Sequence, residues 1–152
     1  MAGEFEDVEF APYCDMRRHI AEVITFGPRV EHVLLSDYWV SFGWRNGWWR
    51  LTVPKGTRAA PSVPPSLQDD LPVLGGMWEP SIIHDWCYET RCFDEYGDGR
   101  KLADALFLRL MEAAGVSWID RKNIKLALFA AGGAIYGANA FRPGCGPVLL
   151  GH

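Results

Sequence analysis

The chain has 152 residues, a net charge of −4 and a sequence pI of about 5.5, with 49% hydrophobic and 22% charged residues. This length and composition predict one soluble globular domain with a substantial core. The acidic balance and the lack of any Lys/Arg run argue against a nucleic-acid binder, which needs a basic patch to meet phosphates.

The N-terminal stretch MAGEFEDVEF is acidic and has neither the basic start nor the apolar stretch of a signal peptide. The longest low-charge apolar run, Leu126 to Ala140, falls short of the ~20 residues of a membrane span, so no transmembrane segment is expected. Cys14, Cys87, Cys92 and Cys145 form no CxxC pair and read as free thiols rather than a zinc ribbon.

Residues 1–53 read as mainly β. Glu22–Phe26 is a short strand that Gly27-Pro28 should end, Val33–Phe42 is a longer run, and Trp48–Val53 follows. Arg45-Asn46-Gly47 contains the Asn-Gly pair that signals a hairpin. Alternation puts Tyr38, Val40, Phe42 and Trp44 on one face of the outgoing strand. On the return strand it turns Trp49, Leu51 and Val53 toward the core. The rings of this hairpin read chiefly as cross-strand packing. A ligand-docking hairpin would instead expose Trp39, Trp44 and Trp48 in one patch.

Residues 54–80 carry six prolines and form a long, semi-rigid loop. Residues 81–140 read as three helices. Glu79-Pro80 starts the first, which runs to about Arg91. Asp98 caps the second, which reaches Ala114 with Gly115 beyond it and a buried stripe of Ala103, Phe107, Leu110, Met111 and Ala114. The third runs from near Ile119 to about Ala138, and its small residues Ala130–Ala134 leave room for another backbone. Residues 141–152 read as an irregular tail. Strands followed by helices give an α+β fold with an N-terminal antiparallel sheet.

His84 and Asp85 are adjacent on the first helix, beside Ile82, Ile83 and Trp86. Unpartnered burial of either polar group is costly, so the pair stands out. Tyr88 lies four residues on and shares the His84 face, with Arg91 a turn further, while Asp85 points about 100° away. A short link should pack the next helix antiparallel and bring Asp104 to His84. A carboxylate on one ring nitrogen would fix the tautomer and leave the other nitrogen free as a base. The plainer readings are a hydrogen-bonded core histidine and an i,i+4 surface pair of Asp104 with Arg100.

From Trp49 to about Gly137 the chain resembles an uncharacterised family of tailed-phage and prophage proteins with the pattern VPxGFxTDxASVP, HDxLY, RxxAD. The matching residues are Val53-Pro54 and Gly56, Ser62-Val63-Pro64, His84-Asp85 and Tyr88, then Arg100, Ala103-Asp104 and Phe107. Where the pattern has Thr-Asp, this chain has Thr57-Arg58 and then Ala59-Ala60-Pro61. His84-Asp85-Trp86-Cys87-Tyr88 also resembles the HDxCY core of calcium-dependent secreted phospholipases. That resemblance implies His84 as the base, Asp104 as its orienting residue and Asp85 as ligand to Ca²⁺ or another divalent metal, and the phage-family pattern adds Tyr88, Arg100 and Ser62 as supporting residues.

Together these resemblances imply a phage-encoded, virion- or tail-associated protein with a His–Asp hydrolase-like site for an ester or cell-envelope substrate. It would be made in the host cytoplasm and then join other virion or tail proteins, with homo- or hetero-oligomeric assembly left open. The alternative is a purely structural virion or tail assembly protein in which the His-Asp-Asp group is a core polar network. The missing Thr-Asp leans toward that alternative.

Overall fold

The computed structural model describes residues 3–12, 16–23, 27–59 and 78–152. In these, the strands are β1 (Phe5–Phe10), β2 (Met16–Val23), β3 (Gly27–Leu34), β4 (Tyr38–Trp44), β5 (Gly47–Val53), β6 (Arg58–Ala59) and β7 (Val148–Gly151). The helices are α1 (Trp78–Thr90), α2 (Gly99–Ala113) and α3 (Trp118–Gly137), with a 3₁₀ turn at Asp94–Tyr96 between α1 and α2. The fold is α+β. One antiparallel sheet has the order β1-β4-β5-β7 and a second the order β2-β3-β6.

The β4–β5 hairpin has the predicted faces. Tyr38, Val40, Phe42 and Trp44 are buried, as are Leu51 and Val53, and Thr52 is exposed. The turn itself sits one residue earlier than the Asn-Gly signal. Trp44 pairs with Gly47, and Arg45 and Asn46 take positive φ of 48° and 59°, the signature of a two-residue primed turn. Gly47 is instead the first residue of β5, where an added Cβ would lie 2.7 Å from Leu149 Cδ1. Trp44 is 2% exposed and packs on Phe5, Trp49, Phe93 and Tyr96. A docking patch built on it is therefore ruled out.

Several expectations need correction. The run Val33–Phe42 is two strands, because residues 35–37 form the link between β3 and β4. Gly27-Pro28 opens β3 instead of ending a strand, with Gly27 paired to Val23. Phe5–Phe10 is a strand along β4, with Phe5 buried and an irregular register between Phe5 and Val8. Its alternation is obscured by four acidic residues in Glu4–Glu9. The tail is not wholly irregular, since Val148–Gly151 adds an edge strand to β5. Within residues 54–80, the segment 60–77 lies outside the described residues.

Around the larger buried cluster, α1 and α2 cover the β1-β4-β5-β7 sheet through Ile82, Ile83, Trp86, Leu102, Leu106 and Leu110. A second cluster joins α2 to α3 through Phe107, Met111, Val116, Ile124 and Leu128. The ends of α2 follow the sequence, and Ser117, not singled out there, caps α3. Asp98 accepts from the Lys101 backbone N–H, Ser117 accepts from that of Asp120, and Gly115 takes φ 86° after α2. Pro80 is buried within the first turn of α1, which begins at Trp78.

Candidate functional site

His84 lies on the inner face of α1, 1% exposed, with its ring stacked on Phe107 of α2 at 4.3 Å between centroids. The link between the helices, closed by the 3₁₀ turn, sets α2 beside α1. Asp104 then meets the ring, with His84 Nε2 2.8 Å from Asp104 Oδ1. The Tyr88 hydroxyl donates to that same oxygen at 2.6 Å. Arg100 Nε lies 3.9 Å from Asp104 Oδ2, and Arg100 Nη2 donates to the Leu128 carbonyl of α3 at 2.8 Å. The orienting contact and the i,i+4 pair with Arg100 thus coexist.

The electrostatics assign the protons. Burial pushes the His84 pKa below its usual 6.5, and the bond to Asp104 opposes this only in part. The ring is therefore neutral near pH 7. An ionised carboxylate can only accept, so Nε2 carries the proton and Nδ1 holds the lone pair. Burial, and then the Asp104 carboxylate, push the Tyr88 hydroxyl well above its usual range, which keeps it a donor. Nδ1 of His84 is itself buried and has no hydrogen-bond partner among the described residues. In native interiors such an atom is uncommon.

Glycine at position 132 makes room for this group. A Cβ there would stand 2.7 Å from Tyr88 Oη and 3.2 Å from Arg100 Nη2. The small-residue stretch of α3 therefore admits two side chains of the site, not the backbone that its composition predicts. Tyr136 of α3 closes the far side, edge-on to Tyr88 at 5.1 Å. Neither Gly132 nor Tyr136 was predicted as a supporting residue, and their only signals are a glycine pair and a lone tyrosine in an apolar helix.

His84, Asp104, Tyr88 and Arg100 come together as predicted. Arg91 does not join them. It has positive φ at the end of α1, and its guanidinium bonds Asp94 at 2.7 Å and lies over the Tyr136 ring. Asp85 is half-buried on α1. No group of three or more His, Cys, Asp or Glu side chains among the described residues could hold a metal. Calcium takes six to eight oxygens, and that donor set is not assembled by the described residues. Ser62 lies outside the described residues. Cys87, Cys92 and Cys145 carry free thiols, and burial pushes that of Cys87 well up.

A groove of about 500 Å³ runs along α2 and α3, with Asp104, Arg100, Leu108, Leu128 and Phe129 among its walls. It reaches the Asp104 side of the site, and His84 is not among its lining residues. No described helix is long and apolar enough to cross a membrane.

Among curated proteins and among solved structures, nothing matches the chain. A family model described as a protein of unknown function, DUF1353, matches residues 35–128, a span that holds His84, Asp85, Tyr88, Arg100 and Asp104. That span is more than half of the sequence, and the chain belongs to the DUF1353 family.

Proposed function

We propose that the chain is a hydrolase of ester bonds in which His84 Nδ1 is the general base. The observation that carries this reading is the contrast between the two ring nitrogens. Nε2 is held by a carboxylate that Tyr88 also holds, while Nδ1 is buried and has no partner among the described residues. A network kept only for packing gains by satisfying both nitrogens, since an unmatched buried acceptor costs about 1–3 kcal/mol. A base needs one nitrogen fixed and the other unpaired, with water reaching it when the residues over it part.

The proposed step balances without a metal. Nδ1 takes a proton from water as the water oxygen bonds to the ester carbonyl carbon. The tetrahedral adduct then expels the alcohol, which recovers the proton from Nδ1. Asp104 stabilises the transient imidazolium and, with Tyr88, holds the ring. A phage particle acting on cell-envelope lipid is the setting that the motif resemblance implies.

The second reading, a structural virion or tail protein, is favoured by a separate observation: His84 is 1% exposed and the described groove does not include it. Assay of the purified chain on a panel of acyl esters separates the two. The hydrolase reading expects turnover that falls at least about 100-fold in His84→Gln, the usual scale of lost general-base catalysis, with the fold retained. An inactive wild-type chain, or equal turnover by His84→Gln, leaves the structural reading.

A further inference from the structure

Helix α3 is apolar on two sides. Ile124 and Leu128 are buried against α2. The outward side carries Trp118, Ile119, Leu126 and Phe129, exposed at 65%, 62%, 60% and 85%. An amphipathic helix ordinarily turns its apolar stripe inward and its polar face outward, whereas the outward side of α3 is apolar too and has no cover among the described residues. At about 100° per residue, Trp118, Lys122, Leu126 and Phe129 share one stripe, with Lys125 at its edge. Lys122 Nζ sits 5.2 Å from the Trp118 ring centroid. The α2–α3 groove continues the stripe, with Leu108 and Phe129 as apolar wall and Lys101 and Lys125 as cations. Its two carboxylates already accept bonds, Asp98 from the Lys101 backbone and Asp104 from His84 and Tyr88.

We propose that this face docks the protein on an anionic lipid bilayer. Trp118, Leu126 and Phe129 enter the interfacial layer, and the lysines meet the headgroups. Exposed rings alternating with lysines suit a surface that is apolar beneath and negative above. Lys101, Lys122 and Lys125 stand on this face although the chain carries a net charge of −4. A second copy is disfavoured, because a two-fold contact centred on the stripe would set Lys122 and Lys125 against the lysines of the other copy. A protein partner would need a concavity matched to Phe129, whereas a fluid interface reshapes around it.

The proposal concerns binding alone, so its fate is separable from that of the hydrolase reading. The test is co-sedimentation of the full chain with vesicles of ether-linked phosphatidylglycerol or ether-linked phosphatidylcholine, which contain no acyl ester. Binding to phosphatidylglycerol is expected, weakening at least about tenfold on phosphatidylcholine and in high salt. Phe129→Glu and Lys122→Glu/Lys125→Glu should each lower it at least about tenfold, with unchanged melting temperatures because the side chains are exposed. Absence of vesicle binding overturns the proposal, as does equal binding to both lipids or full binding by Phe129→Glu. A wild-type dimer that Phe129→Glu dissociates, without vesicle binding, would assign the face to a second copy and overturn it too.

Discussion

His84 on α1 and Asp104 on α2 meet at 2.8 Å, and the contact holds a ring that burial keeps neutral. That combination gives the fold a pH dependence with a definite sign. In the unfolded chain the imidazole titrates near 6.5, and in the fold it titrates lower. Between those two values the unfolded chain binds more protons, so stability falls as pH falls. Above about 6.5 the contribution is fully present. The slope is at most about 1.4 kcal/mol per pH unit for one proton. Denaturant unfolding at pH 7.5 and 5.5 should show the native chain losing more stability than His84→Gln. Parallel losses in the two chains would contradict this.

Tyr88 and His84 share one acceptor, Asp104 Oδ1. Removing the phenol therefore does two things. It deletes a buried hydrogen bond to a carboxylate, about 1.5–3 kcal/mol. It also leaves Asp104 to act on His84 alone, which strengthens the influence that raises the imidazole pKa. Tyr88→Phe is expected to lower stability by that amount and to move the His84 titration upward, followed by the ring proton shifts in NMR. Lost stability with an unmoved titration would mean that the phenol packs but does not share the carboxylate.

The contact at Gly132 supplies a test that the two partners must pass together. A methyl group there would press on Tyr88 Oη at 2.7 Å and on Arg100. Helix propensity alone favours alanine over glycine by about 1 kcal/mol. We expect Gly132→Ala to destabilise nonetheless, by about 1–3 kcal/mol, as overpacking does. In the Tyr88→Phe background the oxygen is gone and the penalty should shrink. Additive effects of the two substitutions would show that the phenol is not what excludes the methyl.

The residues that were legible in the sequence are those whose local pattern carries their tertiary role. Tyr38, Val40, Phe42 and Trp44 alternate cleanly and are buried. Asp98 and Gly115 stand at helix ends because the side chain of one and the φ of the other serve there. His84 and Asp104 were readable because a short link fixes how two successive helices lie. Phe5–Phe10 was not legible, since it pairs with β4, distant in sequence, and its acidic residues mask the period of two. Val148–Gly151 escaped for a similar reason. Only its pairing with β5 makes that glycine- and proline-flanked segment a strand. Gly132 and Tyr136 show the same limit at the site, because a close approach between α3 and α1 leaves no periodic mark.

Gly99 separates two kinds of glycine requirement. Gly56, with φ 86°, has nothing within 4 Å of an added Cβ, so Gly56→Ala should cost only the left-handed strain, about 1–2 kcal/mol. Gly99 is the first residue of α2, where alanine is locally favourable. Its Cβ would nevertheless meet Asp94 Oδ1, the Asp94 backbone nitrogen and Tyr136 Oη. Those atoms belong to the cluster in which Asp94 accepts from Tyr136 and Arg91 and ties the α1–α2 link to α3. Gly99→Ala should therefore destabilise by about 2 kcal/mol or more, against its own propensity. Tyr136→Phe should relieve only part of the loss, because the Asp94 backbone remains in the way. Thermal unfolding of the three variants decides the matter, and a Gly99→Ala chain as stable as the native one would mean that the Asp94–Tyr136 cluster yields without cost.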